Sequence, residues 1–298
     1  MSDTYVQAHY AGDDTGRSMA SRILAAVHAA HGREAAITPE TLAPLDHFNA
    51  RGLAATQELV ALLEPHACES LLDIGSGIGG PARWIAMQYG CMVTGVDVTA
   101  AFCKAARALN VACGIADQVR IVKGTAFALP FLDASFNEAY SHGVVMSIAD
   151  KVGVYREAFR VLKPGGRLVL FQHQVGPNGS PEFPVPWAAT PEESFLATDA
   201  DTQHDLTAAG FALVSFRDTT QENFAAQTAL RRTMETEEPS PLGMQVLIGD
   251  RLRRQRSNSY NALRDGRARM VEIVARKPGE VLRFKNSVMV FGLELLLK

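Results

Sequence analysis

Short apolar runs alternate with stretches of helical pattern from residue 70 to residue 275. The apolar runs contain many β-branched residues and predict strands at residues 71–74, 92–97, 119–122, 136–141 and 167–171. Helical patterns separate them at residues 82–88, 99–110 and 151–162. This alternation is typical of an α/β fold, in which parallel strands form a doubly wound sheet.

Two further strands are predicted at residues 211–216 and 271–276. The roughly fifty residues between them are too many for a hairpin loop, so they predict a separate insert. We therefore expect one domain over residues 1–298, made of four parts: an N-terminal cap (1–50), a core that binds a cofactor (51–220), a cap insert (221–269), and a last strand with a C-terminal extension (270–298).

Composition and charge narrow the class of protein. With 298 residues and 47% hydrophobic content, the chain can bury a large core, and its net charge of −3 favours neither nucleic acid nor an anionic membrane. The cysteines Cys68, Cys91, Cys103 and Cys113 form no Cys-x-x-Cys pair, as expected of reduced thiols. The first ten residues are polar, and no apolar run is long enough to cross a bilayer. We expect a cytoplasmic protein with neither a nucleic-acid nor a membrane partner.

A glycine-rich turn follows the first predicted strand. The strand runs directly into Gly75, Gly77, Gly79 and Gly80, and a helical stretch comes next. In such a turn the backbone N–H groups face a ligand, and no Cβ blocks its approach. Asp73 stands just before the turn, where its carboxylate can hold a cationic or hydroxyl group.

Two classes of cofactor use a turn of this kind. The dinucleotide pattern Gly-x-Gly-x-x-Gly has no acid just before it, whereas this chain has Asp73-x-Gly75-x-Gly77-x-Gly79. The second strand ends in Asp97, which suits a ribose diol in either class. The plain structural alternative is a turn that only tightens a strand-to-helix corner.

Other segments carry a resemblance to a known family. Residues 124–131 (Gly-Thr-Ala-Phe-Ala-Leu-Pro-Phe), 133–137 (Asp-Ala-Ser-Phe-Asn) and 160–166 (Arg-Val-Leu-Lys-Pro-Gly-Gly) follow the glycine turn in order. With it, they resemble class I S-adenosylmethionine-dependent methyltransferases. Residues 47–52, 145–151 and 182–188 are also similar to segments of bacterial small-molecule methyltransferases of the sarcosine/dimethylglycine N-methyltransferase type. The resemblance covers roughly residues 45–275.

The resemblance implies a fold, a cofactor and a reaction. We expect a seven-stranded Rossmann-like methyltransferase sheet with a helical cap, and S-adenosylmethionine as cofactor, leaving S-adenosylhomocysteine as product. The cofactor-binding residues would be Asp73, Gly75, Ser76, Gly77, Asp97, Val98, Thr125, Ala126, Phe127 and Ser141. Thr125 replaces the acid that the family uses to bind adenine, and a hydroxyl accepts more weakly than a carboxylate.

The expected substrate is a small metabolite, with an amine as the first prediction. Methylation of oxygen or carbon in natural-product biosynthesis is the alternative among enzymes. From another class, the chain could be a non-catalytic subunit or sensor that binds S-adenosylmethionine, which only Thr125 favours. Measurements of cofactor binding, and of turnover on a panel of amines and phenols, would distinguish these hypotheses.

His142 is the candidate catalytic residue. Methyl transfer is an in-line displacement, so the protein mainly aligns the reactants and excludes water. An amine needs no strong base, whereas an oxygen or carbon acid benefits from a histidine, and His142 is predicted just past the fourth strand. The competing interpretation is that His142 only contacts the methionine portion of the cofactor.

Four further residues are candidates for substrate contact: Tyr10, Met146, His173 and Trp187. The sequence favours a solvated loop position for His173, and it leaves Trp187 either as a wall of the site or as a core residue. No histidine spacing suggests a metal site. The arginine-rich residues 251–256 are interpreted as a solvated helix face rather than an anion site. The alternating residues 279–298 suggest an added strand pair or a homodimer contact.

Overall fold

The computed structural model describes residues 18–47, 51–236, 241–249 and 251–279. The strands are β1 Ser70–Ile74, β2 Met92–Asp97, β3 Val119–Lys123, β4 Glu138–His142, β5 Arg167–Val175, β6 Ala212–Asp218 and β7 Ala268–Arg276. The helices are α1 Met19–His31, α2 Pro39–Asp46, α3 Leu53–Leu63, α4 Gly80–Tyr89, α5 Ala100–Ala112, α6 Lys151–Val161, α7 Asp199–Ala208, α8 Thr220–Thr236, α9 Gln245–Ile248 and α10 Arg251–Arg264. Two short 3₁₀ turns lie at Val145–Ser147 and Pro191–Glu193.

The strands form one seven-stranded sheet in the order β3-β2-β1-β4-β5-β7-β6. The pairs among β1 to β5 are parallel, and β7 runs antiparallel to both β5 and β6. The predicted α/β fold is therefore confirmed. Strand order reverses beside β1, between β2 on one side and β4 on the other, so the carboxyl ends of β1 and β4 open a crevice where sheets of this type bind ligands.

Several predicted strand boundaries were wrong in ways that matter for the site. β4 begins at Glu138 rather than at residue 136, because Phe136 makes only an isolated bridge to Leu162. β4 also includes His142, which was predicted to lie past its end. β5 continues to Val175 because β7 pairs with it along its whole length. β7 itself begins at Ala268, and β6 extends to Asp218.

Apolar residues cover both faces of the sheet. On one face, β-strand residues such as Leu72, Ile74 and Leu170 pack with α6 and α7. On the other face, Leu71 and Val169 pack with α3, α4 and α5. Because buried parallel strands need cover on both faces, their sequences read as continuous apolar runs.

The two parts of the predicted cap are distant in sequence, but both contribute residues to one apolar cluster. Ile23 of α1 and Leu45 of α2 belong to the same cluster as Leu242 and Leu247, which lie between β6 and β7. Helices α8, α9 and α10 occupy this insertion. The exact domain boundaries stay a prediction. Within the described residues, no helix is both long and apolar enough to traverse a bilayer.

A buried arginine holds the start of α4 against the cap. Arg83 is fully buried, and its guanidinium donates to Asp46 of α2 at 3.1 Å from Nε. Nη1 also donates to the Ile78 carbonyl in the glycine turn at 2.7 Å and to Asn110 of α5 at 3.1 Å. Gly80 permits this approach, because a Cβ there would lie 2.1 Å from the Asp46 carbonyl oxygen.

We predict that Arg83→Met destabilises the fold by about 3–5 kcal/mol, because the carboxylate of Asp46 would remain buried without its partner. Urea unfolding followed by circular dichroism measures the change. Asp46→Leu combined with Arg83→Met is the matched control and should recover part of the loss, since both charges are then absent. A loss below about 1 kcal/mol for the single variant would show that this pair does not secure the fold.

Candidate functional site

The glycine turn after β1 has the backbone dihedral angles that its sequence predicts, but the expectation that its N–H groups face a ligand was wrong for Gly75, Ser76, Gly77 and Gly79, which all donate to protein oxygens. Gly75, Gly77 and Gly79 have φ values of 81°, 53° and 80°, which favour glycine. The Gly75 N–H donates to the Val96 carbonyl at 2.8 Å, which fixes the turn to β2. A Cβ on Gly75 would lie 2.3 Å from Val144 Cγ2, so the turn leaves no room for a side chain there.

Asp97 at the end of β2 supports this turn directly. Its Oδ2 accepts from the Gly77 N–H at 2.8 Å, and its Oδ1 accepts from the Thr99 N–H at 2.8 Å. The sequence suggested either ribose binding or helix capping for Asp97, and the structure adds this bond to the turn. Each carboxylate oxygen keeps a free lone pair, so contacts to a ribose stay compatible with the bonds already made.

Asp73 is a buried carboxylate with an unused oxygen. It pairs in register with Gly95 of β2 and Tyr140 of β4, and its Oδ2 has no hydrogen-bond partner among the described residues. Burial raises the pKa of Asp73 to about 7; the nearby Tyr140 hydroxyl opposes this shift, and the Asp97 carboxylate adds to it. The Ser76 hydroxyl is also buried without a partner. These unsatisfied acceptors fit a polar, cationic cofactor.

The other predicted cofactor residues lie along the same edge. Val98, Thr125, Ala126 and Phe127 are half-buried and follow the carboxyl ends of β2 and β3. The Thr125 hydroxyl accepts weakly from the Phe127 N–H at 3.3 Å. Their contact with adenine stays a prediction.

Ser141 makes a structural hydrogen bond between two strands. Its hydroxyl is buried and donates to the Ile74 carbonyl at 2.9 Å. The side chain thus holds β1 to β4 below the crevice. A cofactor contact of Ser141 stays a prediction.

His142 is the last residue of β4 and borders the crevice. Its ring meets Phe171 edge to face, with centroids 5.2 Å apart, and it has no hydrogen-bond partner among the described residues. The pKa of His142 is lowered to about 4, mainly because burial penalises the charged ring, and further by His47 and Arg51. The imidazole is therefore neutral at physiological pH.

His173 does not lie in a solvated loop, so that interpretation was wrong. It belongs to β5 because β7 extends that strand, and it pairs in register with Met270. Its ring stacks on Trp187 with centroids 4.2 Å apart. The pKa of His173 is lowered to about 3, first by burial and then by His142.

Trp187 joins an apolar cluster that includes Met146 and Met270. The indole N–H donates to the Ser194 hydroxyl at 2.9 Å, and the Trp187 carbonyl accepts from Ser147 at 2.8 Å. Trp187 is thus a core residue that also supports His173. Of the other predicted substrate residues, Met146 lies in this cluster, whereas Tyr10 lies outside the described residues.

The sequence reading missed a charged network beside the crevice. Arg51 bonds Glu58 and reaches Glu272 of β7 at 3.5 Å, while Arg217 bonds Glu272 at 2.7 Å and Glu222 at 2.8 Å. Glu272 is buried in the run Met-Val-Glu-Ile-Val, and a lone acid in such a strand was the signal available. Arg51 of this network is the cation that helps to lower the pKa of His142.

Two other features concern metal binding and the arginine-rich residues 251–256. Among the described residues, no group of three or more His, Cys, Asp or Glu side chains could hold a metal ion. In the arginine-rich stretch, Arg251, Arg253 and Arg254 are exposed on α10, as predicted for a solvated helix face.

Comparisons with known proteins agree with this site. Residues 72–170 match the family model described as a methyltransferase domain. The O-methyltransferase cnsE of Penicillium expansum is 31% identical over 194 residues, covering 64% of this chain and 69% of that protein. Three other curated relatives are matched over only 32%, 46% and 32% of their lengths, so the chain spans less than half of those proteins.

Two solved structures share the fold. Geranyl diphosphate C-methyltransferase from Streptomyces coelicolor A3(2), in complex with Mg2+, geranyl-S-thiolodiphosphate and S-adenosyl-L-homocysteine, aligns with a TM-score of 0.67 at 18% identity over 93% of this chain and 98% of that one. A structure named for sarcosine dimethylglycine methyltransferase from Galdieria sulphuraria aligns with a TM-score of 0.61 at 17% identity over 76% and 86%. The names of the O-methyltransferase and the C-methyltransferase differ in the methylated atom, oxygen in one and carbon in the other, so they do not identify it for this chain.

We predict that S-adenosylmethionine binds this protein more tightly as pH rises from 5.5 to 8. Below about pH 7 the Asp73 carboxyl is largely protonated, and a cationic cofactor favours its ionised form, so binding releases a proton. Calorimetry in two buffers of different ionisation enthalpy measures that proton.

Asp73→Asn is the matched control for this effect. It should bind the cofactor more weakly and with little dependence on pH in the same range, because an amide does not titrate. Equal proton release by the wild-type protein and the Asn variant would assign the linkage to another group.

Proposed function

Because this chain belongs to the S-adenosylmethionine-dependent methyltransferases, we propose that it transfers the methyl group of that cofactor to an oxygen or carbon atom of a small molecule. The family resemblance read from the sequence is confirmed at this level, and S-adenosylmethionine is the cofactor of the family. The choice of oxygen or carbon over nitrogen is the proposal.

The position of the His142 ring is the observation that carries the proposal. His142 ends β4 beside the glycine turn that would hold the cofactor, and its ring meets Phe171 edge to face. A neutral imidazole has a free lone pair at pH 7, which is what proton removal from a hydroxyl or an enol requires.

The surroundings of the two histidines also favour an oxygen or carbon acid over an amine. After burial, which is the main cause, the groups that lower the pKa of His142 are His47 and Arg51, and the group that lowers the pKa of His173 is His142. These groups are basic, and the acid nearest to them in the sheet, Glu272, is already paired with Arg51 and Arg217, whereas a substrate ammonium would be stabilised by an unpaired carboxylate. The amine predicted from the sequence stays the competing hypothesis.

The residues present have separable tasks in this reaction. When bound, the cofactor supplies an activated methyl group. Asp73 and the glycine turn hold and orient that cofactor, and His142 receives the substrate proton as the new bond forms. Trp187 and Met146 belong to the buried apolar cluster that supports this edge of the sheet, and alignment of the reactants supplies much of the rate.

The location, the partners and the oligomeric state expected from the sequence are also proposals. We propose a cytoplasmic protein that uses a small-molecule substrate and no nucleic acid, and a homodimer through residues 279–298 as one option. Those C-terminal residues from 280 onward lie outside the described residues. Size-exclusion chromatography with light scattering tests the oligomeric state.

We predict that His142→Ala lowers kcat by about 100-fold or more on a phenol or enol substrate, the usual range for a general base. Because the pKa of His142 is about 4, kcat/KM of the wild-type enzyme should show no loss between pH 8 and pH 5.5 from protonation of this ring. Initial rates of S-adenosylhomocysteine formation measure both effects.

Cofactor affinity of the variant is the necessary control, since His142 also borders the cofactor site. The rate lost by His142→Ala should be smaller at high pH, where solvent deprotonates the substrate. An amine substrate with unaltered turnover in the variant, and a pH profile that follows its own ionisation, would reject the oxygen or carbon proposal.

A further inference from the structure

His173 is a second polar group at this edge of the sheet, and its hydrogen-bonding capacity is unused. Both ring nitrogens are buried, and neither has a hydrogen-bond partner among the residues that the structure describes. A buried donor without a partner is destabilising, so such groups are rare in native proteins. A bound ligand would satisfy the unused donor and acceptor of this ring.

The orientation of the His173 ring is fixed by its neighbours. It stacks on the Trp187 indole at an interplanar angle of 28°. Trp187 is itself held at both ends, by Ser194 at its indole nitrogen and by Ser147 at its carbonyl oxygen. The imidazole is therefore preorganised before any ligand binds, which lowers the entropy lost on binding.

His173 and His142 point to the same face of the sheet. His142 pairs in register with Phe171 of the adjacent strand, and His173 lies two residues further along that strand. From the spacing of parallel strands and the rise per residue, their Cα atoms are about 8 Å apart. The effect of His142 on the pKa of His173 agrees with this proximity. One small molecule can contact both rings.

We propose that His173 determines specificity by hydrogen bonding to a second oxygen of the substrate, so that the enzyme selects phenols or enols that carry two oxygen functions. The ring is neutral, so it offers one N–H donor and one acceptor, which suit a hydroxyl or carbonyl better than an ion. His142 faces the oxygen or carbon that reacts, and His173 orients the remainder. This inference rests on the proposed function for the identity of the reacting atom.

The test measures binding rather than turnover. The probes are the three dihydroxybenzenes, catechol, resorcinol and hydroquinone, each compared with the methylphenol in which a methyl group replaces one hydroxyl. Calorimetry is done on the full chain saturated with S-adenosylhomocysteine. At least one diol should bind about tenfold more tightly than its methyl counterpart, as expected for one net hydrogen bond in a buried site.

Two variants separate hydrogen bonding from packing. His173→Phe keeps a ring to stack on Trp187 but has no nitrogen, so it should abolish the preference for the diol. His173→Gln restores a donor and an acceptor and should recover part of it. Thermal melting confirms that each variant is folded, and if the Phe variant is not, His173→Leu replaces it.

Three outcomes would overturn the proposal: no diol preferred over its methylphenol, no binding of any probe at millimolar concentration, or a preference that survives in the Phe and Leu variants. Because no methyl transfer is measured, a failure here is distinct from a failure of the proposed reaction, which the kinetics of His142→Ala test separately.

Discussion

A guanidinium without access to water holds the ligand-binding edge of this protein in place. Arg83 bonds a cap helix, the glycine turn and α5 at once, through Asp46, Ile78 and Asn110. A buried ion pair of this kind contributes little net stability compared with an apolar pair, but removing one partner is costly. The effect of this ion pair is geometric. The hydrogen bonds of Arg83 to all three groups fix the position of the glycine turn relative to α2 and α5.

The turn then determines which groups face the crevice. The Gly77 N–H is bound to Asp97, so the end of β2 and the turn move together. Asp73 lies beneath them with one oxygen unsatisfied, in a position where ionisation is unfavourable until a cation arrives. The proposed cofactor site would therefore be assembled by backbone geometry and completed by one buried carboxylate.

The sequence was sufficient for the features that depend on local pattern. Apolar periodicity predicted the sheet, and Asp73 with Gly75 and Gly77 predicted the turn, because strand, glycine turn and helix are encoded by neighbouring residues. The position of His173 was not predictable in this way, because β5 is extended by pairing with β7, nearly one hundred residues later in the chain. The contacts of Arg51 were missed for the same reason, since its partner Glu272 is distant in sequence.

The charges around His142 affect when the ring could accept a proton from the substrate. Burial and the nearby Arg51 make an additional positive charge on this ring unfavourable, and a bound sulfonium would add to that effect. If His142 is the base proposed above, loss of the sulfonium charge on methyl transfer would lower the cost of an imidazolium as the substrate proton is released. Proton transfer and methyl transfer would then be favoured together rather than in sequence. The low pKa of His142 would afterwards return the proton to water.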